Sequence, residues 1–399
     1  MSRFGRAFPR PRPERPARLP RLDFSPTQVR IRACAPRIAC GSGYALTART
    51  SEEETSRERT FASYNRDSPI RREPDPRAAE LLSARHARLR RTEPALPAAC
   101  EAPAAAQAAL STLWAKPLTT GAAAFDSGQL VAYLIGGLRL EPVWGRSAWV
   151  RSPGLALAEG VDPAVIADLY AEVGERWVRD GVFFHFALMP VAEAEVVQAW
   201  FALSFGIEQV HAFADLRNLA APPPPPPGLT IHRAGAQDAD ILAGFSDLIW
   251  RELVKAPVWG ITLPEAVAEL HSGYAELASD PTATVWLAEM DGRAVGIQGY
   301  WEHDEPDPVL VPEKAVTVSV VATLPEERRK GIQSALTRHG LAQARAAGYD
   351  YCEPDWRSAN RGVARSLPRL GFRPVAYRLV RRVDARIAWA RGSSSTSAG

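Results

Sequence analysis

Alternating apolar and polar positions along the chain are punctuated by glycines, and the punctuation repeats. FDSGQLVAYLIGG (Phe125–Gly137) and EMDGRAVGIQGY (Glu289–Tyr300) each read as strand, tight turn, strand. Their turn glycines, Gly128 and Gly292, lie 164 positions apart. ALSFGIEQVHAF (Ala202–Phe213) and PRLGFRPVAYRL (Pro368–Leu379) each end a helix at a glycine and go on as a strand, with Gly206 and Gly371 165 apart. Gly181 and Gly348 both close amphipathic helices ahead of a strand, 167 apart. Three landmarks at nearly one offset predict a tandem duplication.

The second copy is the more legible. TIHRA (Thr230–Ala234) predicts a short strand, and Asp238 a cap for the helix through ILAGFSDLIW. A further helix starts near Pro264, followed by the hairpin across Asp291–Gly292. KAVTVSVVA (Lys314–Ala322) is rich in β-branched residues and predicts a strand. A helix follows with Ala335, Leu336, His339, Ala342 and Ala346 as its buried face. YDYCEP (Tyr349–Pro354) is the next strand, a short helix follows Asn360, and FRPVAYRLVRR is expected to close the sheet. The fold class is mixed α/β, with a central mixed sheet in each copy.

Composition adds boundaries. Residues 1–75 are rich in Pro, Arg, Ser and Glu without a period of 2 or 3.6, so this stretch is expected to be a disordered Arg/Pro-rich extension. APPPPPPG at 221–228 cannot continue a helix or donate to a sheet ladder, and predicts a stiff linker. Folded units are expected over 76–220 and 229–385, with a disordered tail at 386–399. The formal charge is only +3 over 399 residues, although residues 1–50 carry eleven arginines against Glu14 and Asp23. That balance argues against nucleic acid as the main partner. No apolar run reaches membrane-spanning length, so no membrane partner is expected. Four scattered cysteines lack metal spacing, so no metal is expected and a reducing cytoplasm fits best.

The stretch PEERRKGIQS (Pro325–Ser334), between a strand and a helix, carries the candidate chemistry. Amides at a helix start lack intrahelical partners and form an anion site. Gly331 allows close approach, and Arg328, Arg329 and Lys330 add positive charge that opposes the helix dipole unless an anion is bound. With Asn360 and Gly371–Phe372 downstream, this segment resembles the acetyl-CoA-binding core of the GNAT N-acetyltransferase superfamily, whose motif is Arg/Gln-x-x-Gly-x-Gly/Ala. Gln333 departs from it at the last place. DWRSANRGVARSLPRLGFRPVAYRL is similar to bacterial two-domain members.

The resemblance implies two tandem acyl-CoA N-acyltransferase folds and acetyl-CoA as co-substrate. Backbone groups of Ala322, Thr323 and Leu324 would hold the pantetheine arm. Amides of Arg328, Arg329, Lys330, Gly331, Ile332, Gln333 and Ser334 would cradle the pyrophosphate, and Asn360 would reach the thiol end. It implies an acetyl transfer to a small-molecule or protein amine; a non-catalytic acyl-CoA-binding or sensor protein is the alternative. The family's usual acid, a Tyr seven residues after the Asn, is Leu367 here. Tyr351, Tyr377 and Ser366 are nearby. Asp355 and Glu353 are the leading base candidates, Glu302 and His303 the next, and Trp356 is a candidate for the acceptor pocket. In the first copy the matching segment, EGVDPAVIADLY, has no basic residues, so 76–220 is expected to be a degenerate copy.

Overall fold

The computed structural model describes residues 59–65, 77–141, 145–262, 264–302 and 307–392. Expectations for 1–58, 66–76 and 393–399 lie outside the described residues. The first half runs β1 (Arg59–Asn65), α1 (Arg77–Thr92), α2 (Pro103–Trp114), β2 (Thr119–Asp126), β3 (Gln129–Glu141) and β4 (Gly145–Val150). It continues through β5 (Leu155–Leu157), α3 (Val165–Arg179), β6 (Phe184–Pro190), α4 (Ala194–Ala202) and β7 (Gly206–Asp215). The second half runs β8 (Leu229–Arg233), α5 (Ala239–Leu253), α6 (Val267–Glu276), β9 (Ala283–Met290), β10 (Arg293–Glu302) and β11 (Ala315–Thr323). After these come α7 (Ile332–Ala346), β12 (Tyr351–Arg357), α8 (Arg361–Ser366), β13 (Arg373–Arg382) and α9 (Arg386–Gly392). Up to β13 the halves match element for element, with β4 and β5 together standing where β11 stands.

The repeated turns have a common geometry. Ser127–Gly128 and Asp291–Gly292 all take positive φ, the two-residue hairpin turn whose twist suits the flanking strands. Gly181 and Gly348 end α3 and α7 in the left-handed region, where glycine avoids the Cβ clash.

Four expectations are corrected. Arg59–Asn65 is a strand on the edge of the sheet, paired with β2 from Arg59↔Asp126 to Asn65↔Thr120, although it falls in the stretch read as disordered. Its short apolar content is submerged in the Ser/Arg/Glu composition around it. At the other end, Arg386–Gly392 is helical rather than a disordered tail, and Arg391 is bonded to both carboxylate oxygens of Glu175 on α3 (2.7 and 2.8 Å). The buried face of α7 is Ile332, Leu336, Thr337, Gly340, Leu341 and Ala344, not the alanine stripe, because Gly340 lets Tyr300 lie against the helix. Asp238 accepts from Gly235 N–H (2.8 Å) and so closes the turn before α5 instead of capping that helix through its side chain.

The sheet order is β1-β2-β3-β4-β6-β13-β7-β12-β11-β10-β9-β8. Thus β13 does not close its own half. It lies between β6 and β7 of the first half, antiparallel to both, while β7 pairs antiparallel with β12 of the second. Each half gives its last strand to the other, which removes the open edges that β6 and β12 would present. Packing follows the exchange. Leu379 of β13 is buried with Val173, Trp177 and Met189 of the first half. Val210, Ala212 and Ala214 of β7 are buried with Val318, Leu341 and Cys352 of the second. The segment before β11 adds a further tie, with Val309 inside the α1–α2 core and Pro308 O accepting from Cys100 Sγ (3.2 Å).

The linker over 221–228 is extended and mostly exposed, so it should not hold the halves together. A protease site placed between Pro223 and Pro224 and then cleaved should leave two fragments that co-elute in size-exclusion chromatography with the thermal midpoint of the intact protein. Separation of the fragments without denaturant would contradict the exchange.

Candidate functional site

β11 and β12 pair in parallel only from Ala315↔Tyr351 to Val318↔Pro354. Beyond that vertex β11 stays on β10 as far as Thr323 and β12 stays on β7 as far as Arg357, so neighbouring strands part and open a wedge. The parting starts at a bulge, where Ser319 is the extra residue between Tyr300↔Val318 and Gly299↔Val320. Past the bulge, Val320 and Ala322 are buried against the α5 side while Val321 is exposed.

Register decides which backbone groups face the wedge. Leu324 N–H donates to Val295 O (2.9 Å), so Leu324 and Ala322 are turned toward β10, and by alternation Thr323 and Val321 are turned toward the wedge. Of Ala322, Thr323 and Leu324, only Thr323 therefore presents its backbone there. Val321 joins it, a residue that sequence reasoning missed because parity along a strand depends on hydrogen bonding to the neighbour.

The wedge leads into the loop before α7. Arg329 (φ 65°) and Gly331 (φ 85°) take left-handed conformations, and the first helical bond runs from Ala335 N–H to Gly331 O (2.9 Å). The amides of Ile332, Gln333 and Ser334 are the donors that a helix start leaves without intrahelical partners, and they have no other partner among the described residues. Gln333, the departure from the motif, is tied back: its Oε1 accepts from Thr323 Oγ1 (3.0 Å). The cations are less available than their spacing predicts. Arg328 donates to Thr323 O (3.4 Å) and pairs with Glu252 of α5 (3.1 Å), and Lys330 pairs with Glu327 (2.8 Å). Lys255, and after it Arg328, hold the Glu252 carboxyl below the usual carboxylate range. Arg329 is exposed and has no ion pair among the described residues. The loop is thus largely neutralised by Glu327 and by Glu252 of α5, and the dipole conflict expected from the sequence is relieved without a ligand.

Side chains at the vertex divide between the two faces of β12. Cys352 and Trp356 pack with α7, so Glu353 and Asp355 face the α5 side. Trp356 is a core residue, 6% exposed, and its indole N–H has no hydrogen-bond partner among the described residues. Glu353 is buried and its Oε1 lies 3.1 Å from Nδ1 of His211 on β7, while Thr317 Oγ1 donates to Glu353 O (3.0 Å). Asp355 is exposed, directly opposite His211. Asn360 accepts from Val363 N–H (3.3 Å) and caps α8, a local role beside the one the resemblance implies.

The remaining candidates are engaged elsewhere. Tyr351 accepts from Arg217 (2.7 Å), Ser366 donates to Val363 O (3.2 Å), and Tyr377 packs at the junction of the cores. Leu367 packs beside Leu370 and Val363. Tyr349 donates to Glu302 (2.5 Å), and His303 lies outside the described residues. Among the described residues no cluster of His, Cys, Asp and Glu could hold a metal, and no helix is long and apolar enough to cross a membrane.

In the first half the corresponding opening is filled. After Val150 the chain turns through Ser152–Gly154, and β5 returns to β3. Arg85 of α1 is 2% exposed and donates to Ser152 O (2.8 Å), Leu155 O (2.6 Å) and Glu193 Oε1 (2.7 Å). Glu193 precedes α4 as Asn360 precedes α8. An ion pair, buried at Arg85 and half-buried at Glu193, thus spans the two sides of the opening. The loop before α3 carries Asp162, whose carboxylate accepts from Ala164 N–H (2.9 Å), in place of a basic cluster.

Comparison with known proteins agrees with this geometry. Residues 246–372 match the family model described as Acetyltransferase (GNAT) family. A GCN5-related N-acetyltransferase from Sphaerobacter thermophilus is similar over 81% of this chain and 95% of its own, with 14% identity and a TM-score of 0.51. A tandem GNAT protein from the clavulanic acid biosynthesis pathway is similar over 82% of this chain and 99% of its own, with 15% identity and a TM-score of 0.46. No curated protein sequence gives a significant match. The GNAT-family match thus lies in the second half of the chain, and the fold is that of the Sphaerobacter thermophilus protein.

Removing one member of a buried pair leaves the other uncompensated. Arg85→Met should therefore lower stability by about 3–5 kcal/mol in urea denaturation of the full chain, and adding Glu193→Leu should restore much of it. Equal loss in the single and double variants would show that Arg85 matters only for its packing.

Proposed function

We propose that the second half binds acetyl-CoA and transfers its acetyl group to an amine, and that the first half is a degenerate copy that supports it. The observation that carries this is the continuity of the wedge with the α7 start. The exposed backbone of Val321 and Thr323 leads straight to donors at Ile332, Gln333 and Ser334. An extended pantetheine arm can add to β11 as a strand would, while its pyrophosphate meets unpaired amides and Arg329. When bound, acetyl-CoA supplies an activated thioester, and this chain supplies orientation, amide donors and a way to remove the amine's proton. Filling of the first half's opening by Arg85 supports a single site per chain. The acceptor is an amine of a small molecule or a protein, and the cytoplasm is the compartment this reading favours. Leu367, packed among apolar residues where relatives carry a tyrosine acid, favours a second reading as an acyl-CoA-binding protein without turnover.

Calorimetric titration of acetyl-CoA into the full chain should give one site. Gly331→Glu puts a charged side chain at a φ of 85°, next to Pro226 of the linker, and should weaken binding at least about 100-fold while the far-UV spectrum is unchanged. Equal affinity in the variant, or no binding to the folded parent, would remove the acetyl-CoA reading. Thiol release with a panel of amines separates the two readings, since a sensor binds without turnover.

A further inference from the structure

We propose that His211, a residue of the first half, takes the proton from the acceptor amine in the second half's wedge, with Glu353 as the residue that positions its ring. This rests on the acyltransfer reading above. The strand exchange is what brings His211 there, because β7 lies against β12 and His211 stands opposite Asp355, the first residue of β12 past the vertex. Adjacent strands are about 5 Å apart, so His211 is one strand away from the opening. Its side chain is 15% exposed, on the face of the sheet away from α7.

The chemistry follows from the ring's partners. Nδ1 lies 3.1 Å from Glu353 Oε1, so Nδ1–H donates to the carboxylate and the lone pair is left on Nε2. Nε2 has no hydrogen-bond partner among the described residues. A carboxylate that fixes the tautomer of a histidine and favours its protonated form is the recurrent arrangement for a general base. Other described histidines lack this combination. His86 and His185 are buried and bonded to carbonyls, His339 packs edge-on to Trp286 on the α7 side, and His271 lies at the α5–α6 surface on an aspartate that Trp250 and Arg251 also hold.

The step balances without a further reactant. An alkylamine arrives as the ammonium and gives one proton to Nε2. The freed nitrogen lone pair forms the C–N bond to the thioester carbonyl carbon, the C–S bond breaks with its electrons on sulfur, and the nitrogen's second proton ends on that sulfur. The proton on His211 returns to solvent. Charged groups facing the ring are Glu353, Asp355 and Arg357 of β12, Glu208 of β7 and Arg378 of β13, the two arginines sharing Glu208. Toward the far end of the same face lie Tyr351 and the Glu93–Arg373 pair.

The test uses the full chain and one amine found to be acetylated. His211→Gln should lower kcat/KM for an alkylamine by about 100-fold or more, with acetyl-CoA affinity unchanged. An acceptor already neutral at the assay pH, such as an arylamine, should lose far less. Glu353→Gln, which keeps the side chain's size but no longer fixes the ring's tautomer, should lower kcat/KM for the same alkylamine with acetyl-CoA affinity unchanged. His271→Gln should behave as the parent. A His211→Gln enzyme that keeps its rate with the alkylamine, or loses rate equally with both amines, would overturn the proposal and leave acyl transfer intact. A parent that binds acetyl-CoA and acetylates no amine would take the acyltransfer reading and this proposal with it.

Discussion

The exchange of β7 and β13 is the constraint on which the rest of this structure depends. A duplicated unit with its own closing strand would give two sheets joined by a linker. Here the closing strands trade places, so one sheet passes through both halves and neither half has a complete core alone. The stiff proline segment only spans a distance, and cohesion lies in the ladders and in the apolar residues each exchanged strand carries into its host.

The same exchange explains an asymmetry between two similar openings. In the second half β11 and β12 part, and the backbone groups of Val321 and Thr323 turn away from β10, with Thr323 O taken up by Arg328. In the first, α1 sends Arg85 across the equivalent place to Glu193, and its guanidinium takes the carbonyls that such a parting exposes. A long cation with five donors suits a site lined by carbonyls and a carboxylate. The first half keeps the strand order of the second while its own side chains satisfy the groups at the opening.

Much of this was legible in the sequence, for a definite reason. Gly128, Gly292, Gly181 and Gly348 all take positive φ, a backbone demand that composition cannot hide, and their spacing exposed the duplication. The loop around Gly331 was readable because motif and turn coincide. What could not be read depends on pairing across the sheet. The arrival of β13 beside β6, the parity that turns Val321 outward and the meeting of His211 with Glu353, 142 positions apart, belong to register and topology. Charge was misread for a related reason. Glu252 lies far from Arg328 in sequence, and the loop appears strongly cationic until α5 is set beside it.

An exchanged strand also has a history during synthesis. β6 ends at Pro190 and its partner β13 begins at Arg373, so the ribosome must add nearly half the chain before that edge is covered. At about 5–20 residues per second the interval is on the order of 10–40 s, far longer than local helix or hairpin formation. Through it, the nascent first half presents an uncovered β6 edge and the apolar groove that Leu379 later fills. Output of folded protein is therefore governed by the tempo of translation and by chaperones at the tunnel exit as much as by the stability of the finished sheet.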